Sequence, residues 1–175
     1  MSRIRRARGD ELETLREIER EAGRAFATTG MLEIAAHEPP SAAELEAYVS
    51  AGRAWVAVDA SDRPVAYLLS DMVDGCAHIE QVSVVPEHAR RGIGASLIDR
   101  LEADAAAKNQ PALTLTTFRD VPWNAPYYAR LGFVVLEVTE QGPEMRGLIE
   151  REERSIPSDM VRVAMRRPTV ARRSK

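Results

Sequence analysis

The stretch 82–97 constrains the fold more than any other part of the chain. An apolar, alternating run stops at Pro86, crosses Gly92 and Gly94, and becomes the amphipathic series Ile93, Leu97, Ile98, Leu101 and Ala105. A strand, a glycine turn and a helix in succession form a crossover, so the next strand, expected at Ala112–Phe118, runs parallel to the first. Upstream, Ala54–Val58, 65–72 and 78–85 alternate with period two around the turn signals Asp62-Arg63-Pro64 and Asp74-Gly75. They read as three consecutive antiparallel strands.

The remaining elements fall on either side of this block. Residues 3–8 alternate weakly and suggest a short strand. Asp10 and Glu13 have capping-box spacing, and Leu12, Leu15, Ile18, Ala22 and Phe26 then share one helical stripe. Gly30 and Pro39-Pro40 bracket an irregular segment with a helical turn expected at 31–36. Ser41 and Glu44 form a second capping box for a helix through Leu45, Tyr48 and Val49, closed by Gly52. After Phe118 the chain reads as a short helix at 122–131, a strand at 133–138, a helix at 143–154 and a last strand at 160–165. Helices and strands interleave without repeat or linker, which gives a single mixed α/β (α+β) domain over 1–175 with its core at about 3–167. Residues 168–175 are expected to be a solvated basic tail.

Length and composition limit the function classes. A chain of 175 residues has room for one ordinary domain, and 45% apolar with 29% charged residues is globular usage. No apolar run approaches the roughly 20 residues of a membrane span, and residues 1–10 lead into an acidic stretch where a secretory signal would have an apolar one. A cytoplasmic location is the expectation. Cys76 has no internal partner, and His37, His78 and His88 lack metal-ligand spacing, so no metal is expected. A net charge of −3 offers no general attraction to nucleic acid or to a membrane surface.

The glycine turn carries chemistry. The first amides of a helix have no partner within it, the macrodipole adds positive potential there, and glycines let a ligand approach the main chain. Arg90 and Arg91 add formal charge at the same mouth, and together these features suit a pyrophosphate. A Walker loop would need Gly-Lys-Ser/Thr, which is absent, and a dinucleotide fingerprint would need a glycine where Leu97 stands.

Strand, Pro86, Glu87 and then Arg90-Arg91-Gly92-Ile93-Gly94-Ala95 resembles the acetyl-CoA signature of the GNAT superfamily of N-acetyltransferases. Asn124-Ala125-Pro126-Tyr127-Tyr128-Ala129-Arg130-Leu131-Gly132-Phe133 is similar to the superfamily's second signature, and it follows one strand after the long helix as that layout requires. The resemblance spans roughly residues 3–167 and implies a central mixed, mostly antiparallel sheet with one parallel pair at its middle, flanked by helices. It implies acetyl-CoA as co-substrate. The main chain of Val82, Ser83 and Val84 would pair with the pantetheine arm and polarise the thioester carbonyl. Arg90, Arg91, Gly92, Ile93, Gly94, Ala95 and Ser96 would grip the diphosphate, and Asn124 would bond the arm. One departure stands out: the pattern's Gln or Arg, three residues before Gly92, is Ala89 here, which leaves that side-chain contact to Arg90 or Arg91.

Transfer to an amine needs a base, because an alkyl ammonium has a pKa near 10, and a proton for the leaving thiolate. Glu80, an isolated carboxylate in an otherwise apolar or neutral strand, is the base candidate, and His78 on the same face is the second choice. Tyr128 matches the family's general-acid tyrosine and follows Asn124 at i+4; the competing reading makes it a core aromatic bonded to a buried carbonyl. Tyr127 points elsewhere and is read as packing. Nothing activates Cys76 as a nucleophile, so direct transfer in a ternary complex is expected. The acceptor is a small-molecule or peptide amine, or a protein lysine. Its pocket is expected around 31–38, Trp123 and the loop before Met145, where Glu33, Glu38 and Glu144 would attract a cation. The alternative is a CoA-binding regulatory or interaction protein that lost turnover. Homodimers are common in the superfamily, and this sequence carries no independent sign of one.

Overall fold

The computed structural model describes residues 3–27, 39–156 and 160–170. Its strands are β1 (Arg3–Arg6), β2 (Ala54–Val58), β3 (Pro64–Val73), β4 (Cys76–Val84), β5 (Ala112–Phe118), β6 (Val134–Val135) and β7 (Arg162–Pro168), in the sheet order β1-β2-β3-β4-β5-β7-β6. β4 and β5 are parallel, from Ala77 opposite Leu113 to Ile79 opposite Leu115. β1 with β2, β2 with β3, β5 with β7 and β6 with β7 are antiparallel. The mixed sheet with one parallel pair is therefore as expected. The helices are α1 (Leu12–Ala27), α2 (Ala42–Ser50), α3 (Ile93–Ala107), α4 (Ala125–Arg130) and α5 (Pro143–Glu153). None of the described helices is long and apolar enough to cross a membrane. The chain divides into two compact units, Met1–Ser70 with Gln81–Arg100, and Asp71–Glu80 with Leu101–Lys175.

In the first unit, Leu15 and Ile18 of α1, Leu45 of α2 and every residue of β2 are buried. The Ser41–Glu44 capping box forms as expected, with Ser41 N–H donating to Glu44 at 2.8 Å and Glu44 N–H to Ser41 Oγ at 3.2 Å. The start of α1 differs. A 3-10 turn at Gly9–Glu11 precedes it, and Glu11 caps it by accepting the Arg8 amide at 2.8 Å. Arg5 chelates the same carboxylate at 2.6 and 3.0 Å. Burial works against ionising Glu11, yet Arg5 and the Arg8 amide hold its carboxyl below the usual range. Glu13, read from sequence as the cap, instead takes Arg16 and Arg20 along the helix surface. The expected turn at 31–36 lies outside the described residues.

In the second unit, β7 lies between β5 and β6, and Leu113, Leu115, Ala164, Met165 and Met145 are buried. The apolar run at 133–138 yields only the two-residue β6, followed by a 3-10 turn at Val138–Glu140. The last strand runs on to Pro168, and Thr169 and Val170 are bonded beyond it to Pro111, Gln110 and Glu102. Asp74, in the turn between β3 and β4, caps α5 by accepting the amides of Glu144 at 3.1 Å and Met145 at 3.0 Å, and Glu144 accepts the Asp74 amide in return. A Cβ on Gly142 would stand 2.3 Å from Asp74 Cγ. Gly142→Ala is therefore expected to push the cap aside and cost about 1–2 kcal/mol, read as a lower midpoint in urea at unchanged slope.

Candidate active site

The turn of the first unit takes its shape from Pro86 and Gly92. β4 ends at Val84, and Val85 N–H bonds Val65 O at 3.0 Å. A 3-10 turn at Pro86–His88 then redirects the chain toward α3. Arg90 and Gly92 adopt left-handed φ values of 59° and 76°, and a Cβ added at Gly92 would meet open space. Ser96 N–H and Oγ both donate to Gly92 O, at 3.0 and 3.1 Å, so the Ser96 amide is already engaged. The amides of residues 90–95 have no acceptor among the described residues. Arg90 and Arg91 are exposed, and no acid among the described residues pairs with them. A cavity of about 1070 Å³ reaches the turn at His88, Arg91, Gly92, Ile93 and Ser96. Unengaged amides beneath open space at the start of a 15-residue helix fit a phosphate-bearing ligand.

β4 spans Cys76–Val84 and β5 Ala112–Phe118, and within the second unit the two pair from Ala77–Leu113 to Ile79–Leu115.

The second unit holds the titratable candidates. Glu80 is exposed on β4, and no hydrogen bond or ion pair engages its carboxylate among the described residues. Desolvation by the surrounding protein raises its pKa above the usual carboxylate range, Asp71 and Glu152 add repulsion, and Arg162 and Arg151 oppose them. Arg162 donates to Glu152 at 2.8 Å and to Thr116 Oγ1 at 2.9 Å, which commits its guanidinium to those partners. His78 is sealed at 1% exposure with Nδ1 2.9 Å from Thr114 Oγ1, and burial pushes its pKa down to about 4, so it is neutral at pH 7. Cys76 is buried, and desolvation raises its thiol pKa.

Asn124 precedes α4 and accepts the Tyr128 amide at 3.0 Å, which establishes their i+4 relation; the Asn124 side chain makes no capping bond. The Tyr128 ring meets Tyr127 and Phe133 edge-on at centroid distances of 5.3 and 5.7 Å. Its hydroxyl has no hydrogen-bond partner among the described residues, so it does not serve a buried carbonyl. Burial raises its pKa to about 12. Trp123 is 38% exposed. Glu144 is committed to the Asp74 amide, while Glu33 and Glu38 lie outside the described residues.

Sequence reasoning missed a carboxylate on α1. Glu19 accepts Tyr67 Oη at 2.7 Å and Gln81 Nε2 at 3.1 and 3.2 Å, and also the Ser83 hydroxyl. Its partners lie 48 to 64 positions away, and no local pattern signals them.

The family model described as the acetyltransferase (GNAT) family matches residues 12–133, and the chain belongs to that family. It is thus an acyltransferase. Solved structures agree in fold. The PaiA N-acetyltransferase of Thermoplasma acidophilum, in complex with coenzyme A, superposes with a TM-score of 0.71 at 18% identity over 96% of this chain and 99% of its own. Rv2747 of Mycobacterium tuberculosis, in complex with CoA and NLQ, gives 0.70 at 20% identity over 96% and 99%. The ribosomal-protein-S18-alanine N-acetyltransferase of Escherichia coli gives 0.65 at 16% identity over 97% and 94%.

Proposed function

We propose that this protein transfers an acetyl group from acetyl-CoA to a primary amine, directly and within a ternary complex. The observation that carries the reading is the pair of unengaged groups in the second unit, the Glu80 carboxylate and the Tyr128 hydroxyl, together with a Cys76 thiol that burial keeps protonated. The amides of residues 90–95, with Arg90 and Arg91, bind the diphosphate, and these arginines supply the side-chain charge that Ala89 lacks. The main chain of Val82 to Val84 pairs with the pantetheine arm like an added strand, and Asn124 bonds the same arm.

Glu80, directly or through one water, takes the proton of the acceptor ammonium, and its raised pKa makes it a stronger base than an ordinary carboxylate. The neutral nitrogen forms its bond to the carbonyl carbon as the carbon–sulfur bond breaks. Main-chain N–H groups of β4 stabilise the charge that develops on the carbonyl oxygen. Tyr128 donates its proton to the departing sulfur and is reprotonated from solvent, while the nitrogen gives up its remaining excess proton to water and Glu80 releases the one it took to solvent. With a pKa of about 12 the phenol stays loaded throughout neutral pH.

Amine-dependent release of free thiol from acetyl-CoA tests this reading across a panel of small amines, peptides with free α-amines and lysine peptides. Binding of acetyl-CoA with no thiol release in any arm would favour the regulatory alternative, and a mass increase of the enzyme without acceptor would refute direct transfer. Gly92→Val forces a β-branched residue into a left-handed φ and fills the open space above the turn. It should weaken coenzyme A binding by about tenfold in titration calorimetry, and unchanged affinity would remove the turn from the site.

A further inference from the structure

Glu19 lies midway along α1, and its carboxylate gathers donors from two strands of its own unit: Tyr67 of β3, and Gln81 and Ser83 of β4. Gln81 Nε2 also lies 2.9 Å from Ser83 Oγ, which closes the network. Tyr67 is 0% and Ser83 4% exposed, so these bonds form where water competes little and each is correspondingly strong. No cation pairs with Glu19 among the described residues. Three neutral donors from the sheet satisfy it instead, which fits an anchor better than a site awaiting a positive ligand.

The anchored residues lie at the end of β4. Within the first unit Gln81 to Val84 close β4 just before the chain leaves the sheet at Pro86. The same segment leads, through the Val85–Val65 bond, into the turn with the unengaged amides. We propose that Glu19 is a positioning residue that fastens β4 from Gln81 to Ser83 onto α1, holding both the strand main chain and the base of the turn in the shape that accepts the thioester ligand. This rests on the acetyl-CoA reading above. Glu19 touches no reacting atom; it acts through Ser83 and Gln81.

The test compares the full-length wild type, Glu19→Ala, Glu19→Gln and Leu15→Ala, the last removing core packing from the same helix without touching the network. Titration calorimetry with coenzyme A is paired with steady-state kinetics in acetyl-CoA and in the amine. Glu19→Ala should raise the Kd for coenzyme A and the KM for acetyl-CoA about tenfold and leave the KM for the amine within about twofold. Glu19→Gln, which keeps one acceptor oxygen, should recover part of that loss. Leu15→Ala should lower the melting temperature and leave coenzyme A affinity unchanged. Equal loss of affinity in Glu19→Ala and Leu15→Ala would overturn the proposal, as would a rise confined to the KM for the amine or no change at all. If Glu19→Ala does not fold, Tyr67→Phe and Ser83→Ala each remove one donor, and each should weaken coenzyme A binding by about two- to fivefold; wild-type affinity in both would overturn the clamp. A wild type that does not bind coenzyme A would instead defeat the acetyltransferase reading, so the two failures are distinguishable.

Discussion

Replacing Tyr128 by phenylalanine is expected to lower kcat about a hundredfold and to leave coenzyme A affinity nearly unchanged. The ring is held by edge contacts to Tyr127 and Phe133, which phenylalanine keeps, and the hydroxyl has no protein partner whose loss would disturb the fold. What disappears is the proton offered to the sulfur as charge builds there, in a buried setting where such a bond is worth more than in water. Because the phenol titrates at about 12, it does not set the alkaline limb of the pH–rate profile near neutrality. The variant should therefore lose rate without any shift in that limb. Turnover equal to wild type would remove Tyr128 from the acid role, and a rate loss matched by loss of coenzyme A affinity would mark it as a binding residue only.

Glu80→Gln is expected to lower kcat/KM at neutral pH by about a hundredfold and to abolish the acid limb of its pH profile. In the wild type that limb should lie above the usual carboxylate range, because desolvation, aided by Asp71 and Glu152, holds the proton on Glu80. The same residue carries an opposite prediction for stability. The native state binds this proton more tightly than the unfolded chain does, so the stabilisation it lends is complete below the unfolded pKa and is lost as pH rises through the folded one. At pH 7 the ionised carboxylate disfavours folding, and glutamine lifts that burden. The variant should melt above wild type at pH 7, with the gap closing toward pH 4. A melting temperature that falls at pH 7 would show that the carboxylate is structurally engaged, contrary to its role as a free base.

The segment from Ala54 to Phe118 was readable because each of its boundaries is marked locally, by Pro86, by Gly92 or by the Asp74-Gly75 turn, and its strand and helix periods are clean. The parallel pair followed from element order alone. Where the sequence misled, a distant partner decided. Glu13 has the spacing of a cap, but Arg5 and the Arg8 amide select Glu11. The run at 133–138 is apolar enough for a strand, yet only Val134 and Val135 find ladder partners, Arg166 and Met165 on β7. Asp74 was legible as a turn residue, while its capping of α5, 70 positions away, was not. In the candidate site, the glycine turn and the Asn124–Tyr128 spacing are local patterns and were found. Glu19 is half-buried with polar partners drawn from two strands, β3 and β4, and one strand's alternation carries no trace of it.

Arg167, near the end of β7, donates to Leu131 O at 2.9 Å and to Glu102 at 2.8 Å. It thereby grips the carbonyl that closes α4, three residues beyond the phenol of Tyr128. The setting of that phenol is consequently tied to β7. A substitution that removes the Arg167 guanidinium would therefore loosen the end of α4 and, with it, the seat of the Tyr128 ring.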